Sequence, residues 1–167
     1  LDAGGFYFNV HSAANPAGEI RGQIGREVFG AHLTASQENP PTTSTATGEG
    51  RLVLDPITRK VSGEIELQGI QATIAHVHTG AVGVNGPVGV TLFAGAPAGG
   101  AVEGTLAEGT ITAPDPGNAC GWADLAAVLA AMESGATYVN VHTNDGVAPP
   151  NTGPGDFPGG EIRGQIR

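Results

Sequence analysis

Three histidines lie in alternating segments in which a metal site can form. His76 and His78 are two residues apart in TIAHVHTG, and His142 lies in YVNVHT. Residues two apart on a β-strand point to the same face, so the two rings of the first segment share one side of a strand. In the second segment Val139 and Val141 take the core-facing parity, which leaves His142 on the opposite side. If the two strands are neighbours, or are linked across a barrel edge, three imidazoles gather outside the apolar core.

Imidazole nitrogen is a preferred protein ligand of zinc and copper. Cys120 is the single cysteine, so the chain offers neither a thiolate metal cluster nor an internal disulfide. A site of nitrogens without thiolate favours copper over zinc by the stability order of the divalent ions. The sequence therefore predicts a copper site at His76, His78 and His142, with zinc as the alternative metal. The structural alternative is a set of exposed histidines that bind nothing.

Two further histidines and one arginine are secondary candidates. His32 lies on the non-core parity of its strand, and it is either a fourth ligand or, as we favour, a solvated surface histidine. His11 in NVHS has the place that His142 has in NVHT, so it is a candidate ligand in a second site or toward a neighbouring molecule. Arg163 in EIRGQI either pairs with carboxylates or loop carbonyls, or lines a path that steers an anion.

Charge and composition exclude several classes of partner. The net charge is −9 and Lys60 is the single lysine, so the surface repels nucleic acid and anionic membranes. No apolar run approaches the roughly 18 residues that a membrane span needs, and we expect no membrane insertion. No leader peptide is visible, and we expect a mature secreted or periplasmic chain whose signal peptide has been removed. Nucleophile-elbow, P-loop and HExxH motifs do not occur, which removes support for hydrolase and kinase activity.

The spacing of alternating segments and turns predicts an all-β fold. The 28 glycines and 12 prolines punctuate short runs rich in Val, Ile and Leu at intervals of about 8 to 12 residues. Such spacing favours a Greek-key β-sandwich or barrel, either superoxide-dismutase-like or immunoglobulin-like. The segment GWADLAAVLAAMESG is the exception, because Leu125, Val128, Leu129 and Met132 follow helical spacing and Gly135 suits the helix end. We expect one short helix in a crossover.

The two ends of the chain carry related text. NVHS and GEIRGQI at residues 9–12 and 18–24 return as NVHT and GEIRGQI at residues 140–143 and 160–166. The body between the two copies has no duplicate. An unpaired hairpin that exposes FYF would be an aggregation hazard, so residues 1–24 should dock on a sheet edge or on a partner chain.

An ordered set of motifs identifies the body of the chain as similar to a known family. FGAHLTASQENPP, TGEGRLVLD, IAHVHTGAVGVNGPV, YVNVHT and GGEIRGQI resemble a CHRD domain, the module named from chordin, and the resemblance spans about residues 28–167. It implies an extracellular or periplasmic β-domain without a settled biochemical activity. Residues 25–167 are then a complete CHRD domain. Residues 1–24 resemble the last hairpin of a preceding CHRD repeat.

The fate of that first hairpin has two interpretations. In the first, which we favour, residues 1–24 exchange between two chains and form a swapped homodimer. In the second, the chain is a fragment of a tandem array. The mass in solution separates these interpretations.

The histidine pattern is also similar to that of copper/zinc superoxide dismutases. There a strand carries His-Val-His, a later strand gives another ligand, and an arginine near the C-terminus helps to steer the anion; Arg163 follows His142 by 21 residues. No histidine lies between His78 and His142, so the bridging and zinc-loop ligands of that family have no counterpart. The resemblance therefore implies an open, copper-only site.

These observations lead to three functional hypotheses. The first is a copper-binding CHRD domain used in copper storage, delivery or electron transfer, with a surface cluster of His76, His78 and His142. The second is a metal-free adhesion or matrix module that makes protein–protein contacts. The third is a copper-only superoxide dismutase-like oxidoreductase. Of these functions, we favour a binding protein over an enzyme.

Overall fold

The strands of the chain follow from its alternating apolar pattern. The structure is a computed structural model that describes residues 6–24, 27–55, 58–95, 102–153 and 155–167. The strands of the described part are β1 (Phe6–Val10), β2 (Ile20–Ile24), β3 (Glu27–Thr34), β4 (Thr47–Leu54), β5 (Val61–Ile70), β6 (Ala72–Thr79), β7 (Val88–Ala94), β8 (Val102–Ile111), β9 (Thr137–Thr143) and β10 (Ile162–Gln165). A 3-10 turn covers Ala35–Gln37, and the helix α1 covers Leu125–Glu133.

Eight of these strands form one antiparallel sheet that is nearly closed into a barrel or sandwich. Their order is β7-β6-β9-β10-β3-β4-β5-β8. The last two strands of the chain, β9 and β10, therefore lie in the middle of the sheet, between β6 and β3. The prediction of an all-β sandwich or barrel is confirmed.

One face of the sheet carries the hydrophobic core. On β3 the side chains of Phe29, Ala31 and Leu33 are buried, and His32 between them is exposed, as the alternation predicts. On β6 and β9 the side chains that share this inward parity are fully buried. These are Ala75, Val77, Val139 and Val141.

The two edge strands of the sheet are joined by the segment that follows β8. The backbone N–H of Asp115 donates to the carbonyl of Gly89 on β7 at 2.9 Å. The Asp115 carboxylate accepts hydrogen bonds from the backbone N–H of Thr91 at 3.1 Å and from its hydroxyl at 2.7 Å. Thr91 pairs in register with His76, so this connection also brings a carboxylate close to a candidate ligand.

The helix α1 lies in the connection from β8 to β9, which is the predicted crossover. Val128, Leu129 and Met132 bury its apolar face in the core. The Asp124 side chain caps the first turn by accepting from the backbone N–H of Ala127 at 3.0 Å. The prediction of one short helix from its 3.6-residue spacing is confirmed within the described residues. No helix in this part of the chain has the length and apolar character to span a membrane.

The strands β1 and β2 form a separate two-stranded antiparallel hairpin. Its large apolar side chains are exposed: Phe6, Tyr7, Phe8, Val10 and Ile20. The predicted boundary between residues 1–24 and 25–167 falls at residues 25 and 26, which, like residues 1–5, lie outside the described residues.

Candidate metal centre

The strand register brings the three predicted ligands together. β6 and β9 are neighbouring antiparallel strands in which Ile74 pairs with His142 and His76 pairs with Asn140. His76 and His78 therefore lie on one strand, and His142 lies diagonally across from His76 on the other. One ligand atom from each of the three rings lies within 4.8 Å of the other two. The arrangement can hold a metal ion.

Backbone carbonyls fix the orientation of two of the rings. His78 Nδ1 donates to the carbonyl of Gly86 at 2.9 Å, and His142 Nδ1 donates to the carbonyl of Pro158 at 3.0 Å. A carbonyl can only accept, so the proton of each neutral ring is on Nδ1 and the lone pair is on Nε2. His78 Nε2 is buried and has no hydrogen-bond partner. In metal sites, carbonyl acceptors of this kind orient the imidazoles that bind the ion.

The third ring completes the cluster. His76 Nδ1 lies 3.3 Å from His142 Nε2. Two nitrogens bound to one tetrahedral metal at about 2.0–2.1 Å are separated by about 3.3–3.4 Å, so this spacing suits a shared ion. The ring centroid of His76 is 5.5 Å from that of His78 and 5.1 Å from that of His142.

The cluster is more enclosed than the sequence predicts. His78 and His142 are only 7% and 8% exposed, and His76 is half-buried. The expectation of an open, surface histidine cluster was therefore wrong in one respect. The three rings do point away from the apolar core, but the carbonyls of Gly86, in segment 80–87, and Pro158, in segment 155–160, contact His78 and His142 on that face.

Burial favours the neutral form of all three histidines. It lowers the pKa of His142 to about 4, and the hydrogen bond to Pro158 only partly offsets this effect. Burial likewise lowers the pKa of His78, against the opposing hydrogen bond to Gly86. Burial also lowers the pKa of His76, although the nearby Asp115 carboxylate acts in the other direction. A neutral imidazole is the form that binds a metal.

Arg163 holds the loop that contacts His78. Its guanidinium donates to Asn85 Oδ1 at 3.1 Å and to the carbonyls of Ala81 and Val84, each at 3.3 Å. This is the loop-carbonyl alternative of the sequence analysis. The anion-steering alternative does not suit the placement, because Arg163 is only 1% exposed and its NH1 and NH2 groups donate to the loop.

Tyr138 lies between the arginine and the histidine cluster. One face of its ring stacks on His78, with centroids 4.9 Å apart, and the Arg163 guanidinium lies 3.8 Å from the ring centroid. Its hydroxyl accepts from the backbone N–H of Gly86 at 3.1 Å. Tyr138 therefore positions both the His78 ring and the residue whose carbonyl orients it. Sequence reasoning missed Tyr138, although it shares the strand parity of His142 and could have been found by that signal.

Glu161 holds the second loop. Its carboxylate accepts from the hydroxyls of Ser44 and Thr143, each at 2.5 Å, and from the backbone N–H of Gly155 at 3.2 Å. The Thr143 hydroxyl in turn accepts from the backbone N–H of Phe157 at 2.9 Å. These bonds fix the segment that presents the Pro158 carbonyl to His142.

A buried polar group lies beside this segment. Burial raises the pKa of Glu38 to about 7, and the Arg163 charge opposes the shift. Glu38 Oε1 and Asn140 Oδ1 are both buried without a hydrogen-bond partner, and both lie next to Gly160. A protonated Glu38 carboxyl would supply one donor close to the unpartnered Asn140 Oδ1.

The two secondary histidines lie outside the cluster. His32 is exposed on β3, and its Nδ1 contacts Glu49 Oε1 at 2.5 Å. This is the solvated position that the sequence analysis favoured over a fourth ligand. His11 is exposed at the end of β1, and its Nδ1 donates to the carbonyl of Pro16 at 2.9 Å. Neither residue belongs to the group of side chains that can hold one ion.

Comparison with known proteins defines the family. The model of the CHRD domain matches residues 1–24 and residues 29–166, which together cover nearly the whole chain. No curated protein and no solved structure matches this chain. The matched residues include β6, β9 and β10 with all three clustered histidines, and the first matched stretch includes the β1–β2 hairpin. The chain belongs to the CHRD family, whose domains are of extracellular type.

Proposed function

We propose that this chain is a secreted or periplasmic copper-binding protein that serves in copper storage, delivery or electron transfer. The ligands are His76, His78 and His142. One observation carries the proposal: carbonyls fix the protons of two buried rings on Nδ1, which leaves a lone pair on each Nε2, and one nitrogen from each of the three rings lies within 4.8 Å of the other two. A buried imidazole lone pair without a partner is costly in a folded protein, and a bound metal would satisfy it.

The surroundings favour copper over zinc. The ligand set contains three neutral nitrogens and no carboxylate or thiolate, and the Arg163 charge acts on His78. The cost of burying an ion rises with its charge, so a site of this kind favours a monovalent ion over a divalent one. Copper has a stable monovalent state and zinc does not. For the divalent ions, the stability order also places copper ahead of zinc.

The enclosure suits a carrier role. His78 and His142 are covered by loops, while half-buried His76 is the ligand that solvent reaches most readily. A metal would therefore enter and leave past His76, and the other two rings would retain their positions. The Asp115 carboxylate near His76 adds a negative charge on that side, which attracts a cation.

Copper titration with matched histidine variants tests the proposal. Protein purified without added metal is titrated with Cu(II), and the electron spin resonance spectrum is recorded. We expect one copper per cluster, with couplings to several nitrogens. His78→Ala should remove this binding, whereas His32→Ala deletes an exposed histidine outside the cluster and should leave it unchanged. Full copper stoichiometry in His78→Ala would refute the ligand assignment.

Competition between metals tests the choice of copper. The apo protein is titrated with Cu(I) and with Zn(II) in separate experiments, with chelators of known affinity. We expect Cu(I) to bind more tightly than Zn(II). The three ligands are neutral, so the charge of the ion stays uncompensated, and burying one positive charge costs less free energy than burying two. Tighter zinc binding would make zinc the resident metal.

A metal-free adhesion or matrix module is the second candidate, and the exposed apolar hairpin favours it. This function predicts that binding to a partner persists in the His78→Ala variant and in chelator. A superoxide dismutase-like activity is the third candidate. It requires superoxide turnover by the copper-loaded protein that exceeds turnover by the same amount of free copper.

A further inference from the structure

The β1–β2 hairpin repeats the structure of the β9–β10 pair, and not only its sequence. In β1–β2, Tyr7 pairs with Gln23 and Asn9 with Arg21. In β9–β10, the corresponding pairs are Tyr138 with Gln165 and Asn140 with Arg163. The register of the two hairpins is therefore the same, although the connecting loop of the second is longer by 11 residues.

The contacts that orient the metal ligand are repeated as well. His11 Nδ1 donates to the Pro16 carbonyl at 2.9 Å, as His142 Nδ1 donates to the Pro158 carbonyl at 3.0 Å. The first hairpin thus presents an imidazole whose proton is fixed on Nδ1 and whose Nε2 is bare.

The aromatic contact is repeated too. The guanidinium of Arg21 lies 4.0 Å from the Tyr7 ring centroid, and that of Arg163 lies 3.8 Å from the Tyr138 centroid. In β9–β10 this contact supports the ligand site. In β1–β2 the same contact between Arg21 and Tyr7 is exposed to solvent, and no ligand site lies next to it in the described residues.

The two hairpins differ in what covers them. Tyr138 is 2% exposed and Tyr7 is 46% exposed; Ile162 is fully buried and Ile20 is 66% exposed. The strands β6 and β3 pair with the two outer edges of β9–β10. Within the described ranges, no strand pairs with the outer edges of β1–β2. Its side chains are therefore those of a central strand pair from which the neighbouring strands are missing.

We propose that residues 6–24 are the closing hairpin of another CHRD body, which precedes β1 in a tandem arrangement, and that His11 is a ligand of a second metal site there. The remaining two ligands would be the His-x-His pair on the β6-type strand of that body. The metal part of this proposal rests on the copper function proposed above. The docking part rests on the register and the contacts that the two hairpins share.

A second copy of this chain fits the hairpin less well than a tandem body. In a second copy, β9–β10 already fills the place between β6 and β3. If β1–β2 entered there, it would release an equivalent hairpin with the same exposed edges, and no strand pairing would be gained. In a tandem arrangement no hairpin is displaced. The short connection supports this choice, because β2 ends at Ile24 and β3 begins at Glu27, so one closing hairpin leads directly into the next body.

An extended chain tests the proposal. A copy of residues 27–131 is joined directly to Leu1 of the full 167-residue chain. With Tyr7 aligned on Tyr138, Leu1 then takes the place of Met132. The added body lacks a closing hairpin of its own, so β1–β2 is the segment that can complete it. Amide hydrogen exchange and copper stoichiometry are measured for the extended chain and for the 167-residue chain.

We expect β1–β2 amides to exchange at least tenfold more slowly in the extended chain. We expect two coppers per extended chain and one per 167-residue chain. His11→Gln should remove one copper from the extended chain and none from the shorter one, and the matched His32→Gln should remove none from either. Variants at His11 are suitable because the side chain is exposed in the 167-residue chain, so folding of residues 27–167 does not depend on it.

Each contrary result has a distinct meaning. Unchanged exchange at β1–β2 in the extended chain overturns the docking proposal, whatever the copper content. Slowed exchange with a single copper that His11→Gln does not affect overturns the ligand role of His11. Slowed exchange with no copper at either site refutes the copper function and the second metal site together while supporting the docking. A dimer of the 167-residue chain that Val10→Asp dissociates would show that a second copy is the occupant, and would overturn the tandem choice.

Discussion

His76 Nδ1 lies 3.3 Å from His142 Nε2. A hydrogen bond between these two nitrogens requires that one of them is protonated and donates while the other accepts. His142 already has its proton on Nδ1, where it donates to Pro158. His76 must therefore donate from Nδ1 to His142 Nε2 when no metal is bound. The neutral cluster thus holds one weak internal hydrogen bond at the place where a metal would lie.

The first prediction concerns the ring tautomer of His76. Binding of a diamagnetic ion, Cu(I) or Zn(II), through His76 Nδ1 should move the ring proton from Nδ1 to Nε2. His78 and His142 should keep their protons on Nδ1, because the carbonyls of Gly86 and Pro158 accept them in both states. Long-range ¹⁵N–¹H spectra of the rings report each tautomer. Retention of the Nδ1 proton on His76 after metal saturation would exclude Nδ1 as its ligand atom.

The second prediction concerns the pH at which copper is released. Burial lowers the pKa of all three histidines below the ordinary value of 6.5, and it lowers that of His142 to about 4, so His142 stays a neutral ligand well below pH 6.5. Copper should therefore remain bound at pH 5.5 and dissociate as the pH falls toward about 4. Dialysis at a series of pH values, followed by metal analysis, measures the release. A midpoint at pH 6.5 or above would mean that the rings are solvated.

The sequence was sufficient to predict the strands and the shared direction of the three rings. Side-chain direction in a strand depends on parity alone, which can be read from HVH and NVH without knowledge of the fold. The exposed position of His32 and the helical segment around Leu129 follow from equally local patterns. The sequence did not predict that β6 and β9 are neighbours, because this depends on the order of the strands in the sheet.

The enclosure of the cluster could not be predicted in the same way. It depends on the segments 80–87 and 155–160, which are held by contacts between residues far apart in the chain. Arg163 contacts Val84 across 79 positions, and Thr42 donates to the Glu161 carbonyl across 119 positions. Glycine- and proline-rich loops carry no periodic pattern that would place them over one face of a sheet. The sequence therefore predicted an exposed histidine cluster, because nothing in it places these loops over the three rings.

The third prediction concerns Glu38, whose pKa in the folded chain is about 7 against an ordinary value of 4.5. The folded state then binds more protons than the unfolded state between these values, so stability falls as the pH rises from about 4.5 to 7. Glu38→Gln cannot ionise. It should therefore be more stable than the native chain at pH 8, by about 1–3 kcal/mol, and nearly equal to it near pH 4.5.

Denaturant unfolding at pH 4.5 and pH 8 measures this difference. Glu66→Gln is the matched control, because Glu66 is exposed on β5 and its replacement should change the free energy of unfolding little at either pH. A stability difference for Glu38→Gln that does not vary with pH would show that the Glu38 carboxyl does not titrate abnormally.

The fourth prediction concerns Gly160, which precedes the Glu161 that fixes the second loop. Its φ is +127°, and a Cβ there would lie 2.7 Å from the Asn140 side-chain amide and 2.9 Å from Glu38 Oε1. Gly160→Ala should therefore cost about 1–3 kcal/mol of unfolding free energy. It should also weaken copper binding, because Pro158, which orients His142, lies two residues away.

Variants at two other glycines separate backbone strain at Gly160 from a general effect of alanine. A Cβ at Gly159 meets nothing within 4 Å, so Gly159→Ala should change neither stability nor copper affinity appreciably. Gly18 has the matching place in β1–β2, with φ +130° and the Asn9 side chain at 2.5 Å from the added Cβ. Because Asn9 is not enclosed there, Gly18→Ala should cost less than Gly160→Ala in the 167-residue chain. Thermal unfolding and copper titration of the three variants decide the matter, and equal losses for Gly159→Ala and Gly160→Ala would contradict the role assigned to this turn.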